Sequence, residues 1–221
     1  MKIIELNETV TASNDLDAQA LRNRMKQAGT LLINVMSSPG SGKTTLISRQ
    51  IPDQPMLRIG VMEADIESDV DAKRIEALGA AAIQVHTSGM CHMDAGMTAA
   101  AWEAMEQRAL DLIFLENVGN LICPAEYDTG ADKNIMLLSV PEGDDKPLKY
   151  PLMFQKSHAL VITKTDALPY FDFDPEKCEE RVRRLNPGIR IFPVSAKTGE
   201  GMKSLEHWII GQVQSLKYNC L

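Results

Sequence analysis

The run Pro39-Gly40-Ser41-Gly42-Lys43-Thr44-Thr45 follows the apolar stretch Leu31–Met36 and opens a segment with helical pattern. Strand, glycine-rich turn and helix in that order make a phosphate cradle, because backbone N–H groups and the positive helix end face the anion. In such a loop Lys43 neutralises β- and γ-phosphate oxygens, and the Thr44 hydroxyl ligates Mg²⁺. Ser37 stands where the motif usually begins with glycine. The rest of the pattern is intact, so Pro39, Gly40, Ser41, Gly42, Lys43, Thr44 and Thr45 read as nucleotide-binding residues.

The base is read elsewhere. Thr163-Lys164-Thr165-Asp166 and Ser195-Ala196-Lys197-Thr198-Gly199 each follow a strand-like run. They resemble the two guanine-reading loops of GTPases, with Thr163 where Asn is commoner. A carboxylate such as Asp166 accepts from guanine N1–H and from the exocyclic amine. Adenine offers neither donor there, and a carboxylate left unpaired costs orders of magnitude in selectivity. Lys164 is expected along the base and against the P-loop, and the Ala196 N–H at guanine O6. Lys164, Asp166, Ser195, Ala196 and Lys197 therefore join the nucleotide site, and the nucleotide is GTP or GDP.

Two kinds of metal chemistry are written into the chain. Glu116, at the end of the run 111–116, and Asp65, after Arg58–Met62, are candidates for Mg²⁺ alongside Thr44. Gly119, three residues past Glu116, is expected to place its N–H on the γ-phosphate. Lys43, Asp65 and Glu116 form the candidate catalytic set, and Asp69 is either a further carboxylate or a helix cap. Cys91-His92 in a loop opened by Gly89, with Cys123 just past Gly119, makes a Cys/His/Cys set suited to Zn²⁺ or Ni²⁺. Adjacent residues point apart in a regular strand, so only the loop lets Cys91 and His92 converge. Buried thiols with an unrelated His are the alternative that spacing leaves open.

These residues need a scaffold. Strand-like runs near 31–36, 57–62, 82–85, 111–116, 135–140, 158–162 and 190–194 alternate with helical patterns at 43–50, 68–78, 94–109, 175–185 and 201–217. Apolar strands separated by helices predict an α/β fold of the P-loop NTPase type, a mostly parallel sheet covered on both faces. Ligands then collect at the carboxyl ends of the strands. A helix from Asn14 or Asp15 to Gln27 with Leu16, Ala20 and Leu21 on one face precedes the sheet, after a loose arm or edge strand at 1–12. Residues 1–30 are thus an arm and helix packed on a GTPase domain of residues 31–221. The stretch 141–151 is the longest turn-rich segment and reads as a long loop, either functional or a surface crossover.

With 221 residues, 44% of them hydrophobic, and a net charge of −7, the chain suits one core and argues against a broad nucleic-acid surface. No apolar run spans a membrane, and Cys91, Cys123, Cys178 and Cys220 make no disulfide framework. The chain reads as cytoplasmic.

The motifs at 39–45, 91–95, 116–124 and 142–151 resemble the hydrogenase nickel-incorporation GTPases (the HypB family), relatives of the urease accessory GTPase. The likeness runs from about Leu31 to Gly201. It implies slow GTP hydrolysis, a GTP-dependent homodimer, and delivery of nickel during [NiFe]-hydrogenase maturation, with maturation proteins and the hydrogenase large subunit as partners. It also matches Cys91, His92 and Cys123 to the family's metal residues. Some relatives carry an N-terminal Cys-rich or His-rich tract, whereas residues 1–30 here hold neither residue. Urease-type nickel delivery and a non-catalytic, nucleotide-gated metal carrier are the alternatives.

Overall fold

The protein is described by a computed structural model covering residues 6–65, 75–105 and 109–218, with side chains from residue 12 onward and Asp65 excepted. Most of the helix expected at 68–78, Asp69 and Cys220 fall outside the described residues.

Seven parallel strands form one sheet: β1 Leu31–Ser37, β2 Ile59–Asp65, β3 Ala81–His86, β4 Leu112–Glu116, β5 Lys133–Ser139, β6 Ala159–Thr163 and β7 Arg190–Pro193, in the order β3-β2-β4-β1-β5-β6-β7. Every residue of β1 is buried, as continuous apolar runs require in a sheet covered on both sides. Alternate side chains feed different layers. Leu31, Ile33 and Val35 enter one core with α2 (Lys43–Asp53) and α5 (Met202–Tyr218). Leu32 packs on the opposite face, in a core with Leu21 and Met25 of α1 (Leu6–Gln27) and Ala101 of α3 (Ala95–Ala104). Met36 joins a third core with Met153, Phe154 and two residues of α4 (Pro175–Leu185), Cys178 and Val182. Cys178 is fully buried, and burial pushes its thiol up to about 12, so it stays protonated.

Three expectations change. The first helix begins by Leu6, so part of the expected arm is helical. Asn14 caps nothing locally; its amide bridges the Asp128 carbonyl and the Ala95 N–H, tying α1 to the site loops. Leu16 is 75% exposed, and the packed face is Ala18, Leu21 and Met25. The stretch 141–151 is no loop either. A 3₁₀ turn Val140–Glu142 and helical turns Lys146–Lys149 and Pro151–Gln155 occupy it, with Pro141, Pro147 and Pro151 at first-turn positions where their missing N–H is harmless.

One polar staple closes the amino-terminal edge of the sheet. Asp111 accepts from the Arg58 guanidinium and N–H and from Lys217 at the end of α5. The Arg58 guanidinium first, then the Lys217 ammonium, outweigh burial and hold this carboxyl well below the usual carboxylate range. Because the folded pKa is depressed, its contribution to stability is present above the unfolded carboxylate range and is lost on acidification below about pH 4. Both cations are partly in water, which limits the loss, and Asp111→Ala should therefore lower unfolding free energy by about 2 kcal/mol at pH 7. Denaturant unfolding at pH 7 and at about pH 3 checks this: the gap between the two proteins should narrow at the lower pH.

Candidate functional site

The phosphate loop leaves β1 at Ser37 and enters α2 at Lys43. Gly40 and Gly42 adopt φ of 74° and 98°, the left-handed region in which a side chain is strained. Ser37, in the motif's first glycine position, is buried; its hydroxyl accepts from Lys43 Nζ at 3.2 Å and donates to the Ser38 carbonyl at 2.7 Å. A serine is thus accommodated because it helps hold the lysine. Thr44 donates to Glu116 Oε1 at 2.8 Å, so the two Mg²⁺ candidates already meet. Thr45 is exposed beside them. Gly119 lies against Pro39: a Cβ there would come 2.9 Å from the Pro39 nitrogen.

The two loops expected to read the base lie beside the same cradle. Thr163 donates to the Ser41 carbonyl and Lys164 Nζ to the Gly40 carbonyl, both at 2.7 Å. Thr163 therefore braces the P-loop with its hydroxyl, which explains why a threonine suffices there. Ser195 donates to Asp166 Oδ1 at 2.7 Å, and Lys197 lies 4.0 Å from the other Asp166 oxygen. Ala196 is partly buried against the core.

Two carboxylates were not foreseen. Glu63 on β2 sits in register with Glu116 on β4 and is only 4% exposed, so a second acid shares these strand ends. Asp65 ends β2, and its side chain lies outside what is described. Glu142 accepts from Ser41 Oγ at 2.7 Å and from the Ser139 N–H at 2.8 Å, bracing the P-loop from the 140–142 turn. Burial raises its pKa, but the hydroxyls of Ser38, Ser139 and Ser41 outweigh that and keep it below its usual value. The Ser139-x-x-Glu142 spacing of a capping box was the available signal.

Cys91, His92 and Cys123 form a cluster whose ligand atoms all lie within 4.8 Å of one another. The two loops that supply them are held separately. After β3, the Thr87–Met90 turn closes through Thr87 and Met90, with Ser88 and Gly89 at φ of 52° and 86°. That left-handed pair swings the chain so that Cys91 Sγ and His92 Nδ1 stand 3.9 Å apart. Cys123 opens the helical turn Cys123–Glu126, its Sγ 2.8 Å from that of Cys91 and within 3.5 Å of Asn120 Nδ2. The ring of Tyr127 stacks on His92 at 3.8 Å. Burial lowers the His92 pKa, against the smaller pull of Asp94 and Glu126, which favours the neutral imidazole a metal needs. The Cys91 hydrogen bond, then burial, raises the Cys123 thiol.

Among the described residues no other histidine joins this cluster. His158 Nδ1 accepts from the Asn134 N–H, and His207 is exposed on α5. Met93 and Met105 are core residues, although Met90 is partly exposed beside Cys91.

A glycine-rich loop between a buried parallel strand and a helix, braced by two further loops at the same sheet edge, defines a P-loop nucleotide-binding protein. The chain belongs to the CobW/HypB/UreG family, whose nucleotide-binding domain matches residues 31–193. It is 44% identical to the hydrogenase maturation factor HypB of Azotobacter chroococcum over 94% of this chain and 68% of that protein. It is 42% identical to the Escherichia coli K12 hydrogenase maturation factor HypB, over 94% of this chain and 72% of that protein. The crystal structure of HypB from Helicobacter pylori in complex with nickel superposes with a TM-score of 0.87 at 36% identity, covering 92% of this chain and 96% of that one. The hydrogenase maturation factor HypB of Archaeoglobus fulgidus gives 0.86 at 33% identity, over 91% and 99%.

The Gly119–Pro39 contact yields a test. Gly119→Ala must push Pro39 or the β4 segment aside, so binding of fluorescent GDP and GTP analogues should weaken about tenfold or more while the far-ultraviolet dichroism is unchanged. Wild-type affinity in that variant would mean the contact does not shape the nucleotide site.

Proposed function

We propose that this protein is a GTP-hydrolysing metallochaperone that carries nickel for insertion into [NiFe]-hydrogenase. The observation that carries the reading is the Cys91/His92/Cys123 cluster, whose Cys123 ends the segment that also touches the P-loop at Glu116 and Gly119. Its family and the nickel complex of its H. pylori relative support the same assignment.

In this reading the P-loop residues 39–45 cradle the phosphates, with Lys43 neutralising the oxygens across which charge develops. Lys164, Asp166, Ser195, Ala196 and Lys197 select guanine. Thr44 and Glu116 offer hard oxygens fit for Mg²⁺, with Asp65 as a further carboxylate; the ion would balance phosphate charge when bound. Gly119 senses the γ-phosphate through its N–H. Lys43, Asp65 and Glu116 make up the catalytic set. The cargo site is two thiols and one neutral imidazole, soft and borderline donors suited to nickel, with zinc as the competing ion. Three ligands leave a position open for water or for a group from a partner, which suits transfer.

Residues 31–221 act as the GTPase domain and residues 1–30 as an arm and helix packed on it. A GTP-dependent homodimer, the maturation proteins and the hydrogenase large subunit are the partners. None of the described helices is long and apolar enough to cross a membrane, and we place the protein in the cytoplasm.

Nickel titration of the wild type and of Cys91→Ala, with tryptic stability as a folding control, tests the cargo site. Affinity should fall at least tenfold in the variant. Phosphate release in excess GTP should continue over many turnovers at about 10⁻³ per second without a partner. Nickel binding that ignores Cys91, or phosphate release that stops after one equivalent, would overturn the corresponding half of the reading.

A further inference from the structure

The nickel ligands hang on two separate arms. Cys123 belongs to the segment that leaves β4 and touches the P-loop, whereas Cys91 and His92 belong to the loop after β3. Any shift of the β4 segment on phosphate loss moves Cys123 directly. Whether Cys91 and His92 follow depends on what ties the loops together.

The tie is a buried asparagine. Asn117 lies between Glu116, bonded to Thr44, and Gly119, packed on Pro39. It is fully buried. Its Oδ1 accepts from the Met93 N–H at 3.1 Å and the Val118 N–H at 2.9 Å, and Met93 immediately follows His92. Two N–H donors fix which end of the amide is oxygen, so its orientation is decided. The Nδ2 group donates to Asn34 Oδ1 at 3.0 Å, and Asn34 Nδ2 donates to Asn134 Oδ1 at 3.2 Å. Asn34 is a buried polar residue within the run Leu31–Met36 of the central strand, whose other members are apolar, and a hydrophobic side chain there would have packed without a partner. This amide row runs from β5 through β1 to β4 and ends on the backbone of the metal loop.

We propose that Asn117 is a positioning residue that makes the Cys91-His92 loop follow the nucleotide-sensing segment. The inference rests on the cargo reading above. Breaking the Met93 bond would strand a buried N–H, so the loop and the asparagine move as one body. With the tie intact, all three ligands keep one geometry per nucleotide state, and nickel affinity differs between states. With the tie cut, Cys91 and His92 no longer answer to the nucleotide. Because coupling is reciprocal, nickel then also loses its influence on nucleotide affinity.

The test measures nickel affinity against a competing chelator in wild type, Asn117→Ala and Asn34→Ala, each loaded with GDP and with a non-hydrolysable GTP analogue. Wild type should differ between the two nucleotides by about fivefold or more, within the usual range of coupling. In Asn117→Ala the ratio should fall below about twofold while each nucleotide still binds; Asn34→Ala, which leaves the Met93 bond, should retain part of it. An Asn117→Ala protein whose nickel affinity drops equally in both states, ratio unchanged, would make the residue merely structural and overturn the inference. So would a wild type that binds nickel equally in both states, although the cargo reading would survive. A chain that binds no nickel at all would sink both. Should Asn117→Ala fail to fold, hydrogen exchange of the Met93 amide in the wild type decides: its protection must change with nucleotide, and indifference overturns the proposal.

Discussion

The constraint on which the rest depends is the burial of β1. Its backbone N–H and C=O groups have no water, so they must be met in register by β4 on one side and β5 on the other. That pairing puts the carboxyl ends of three strands side by side, and everything chemical in the molecule grows from those ends. The P-loop continues β1, Glu116 ends β4, and the 3₁₀ turn bearing Glu142 continues β5. Pairing outward repeats the effect: β6 delivers Thr163 and Lys164 beneath the loop, and β2 delivers Glu63 beside Glu116. No single helix is asked to position the site. The ladder does it, and the helices seal its faces.

That division explains what the residues disclosed in advance. Strands buried on both faces announce themselves as apolar runs, and the seven runs expected from sequence match the seven strands to within three residues at each end. The P-loop was legible because glycines at forced positive φ leave few alternatives. The start of α1 was not, because Asn14 and Asp15 have good capping chemistry and only the tertiary partners Asp128 and Ala95 show that Asn14 is employed elsewhere. The 141–151 stretch misled for a related reason. Proline and glycine mark turns, yet proline is equally at home in a first helical turn, and sequence alone does not separate the two uses. The buried carboxylate Glu63 was invisible because its pairing exists only across strands, whereas Glu142 left a local signal in the Ser139-x-x-Glu142 spacing.

The Cys91/His92/Cys123 cluster sits between these cases. Adjacency of Cys91 and His92 argues against convergence unless the backbone turns sharply, and the turn depends on Ser88 holding a positive φ that its residue type does not favour. Gly89 hinted at it, and the closed Thr87–Met90 turn fixes it. Burial then lowers the His92 pKa, which favours the neutral imidazole, and the stacked Tyr127 ring restricts its orientation. The thiols differ: Cys91 is exposed and Cys123 half-buried, so the cluster is open on one side. A site closed on all sides would hold its ion permanently. One open to solvent on the Cys91 side can exchange it.

The two loops of that site reach it by different routes, and this is where the scaffold becomes more than a support. A segment of eight residues, from Glu116 to Cys123, meets the P-loop at two places and ends in a member of the Cys/His/Cys cluster. Such a short span has little freedom to absorb displacement at one end without transmitting it to the other, particularly since Asn117 is bonded on three sides and Leu121 is buried. Polar groups placed this deep are costly unless every donor and acceptor is met, and here the asparagines meet them with one another and with the metal loop. An apolar core would fill the same space and hold the same strands. What it would not do is make the backbone beside His92 register the position of the strand that carries Glu116. The buried amide row is therefore better explained by the relation between the two sites than by the stability of the sheet.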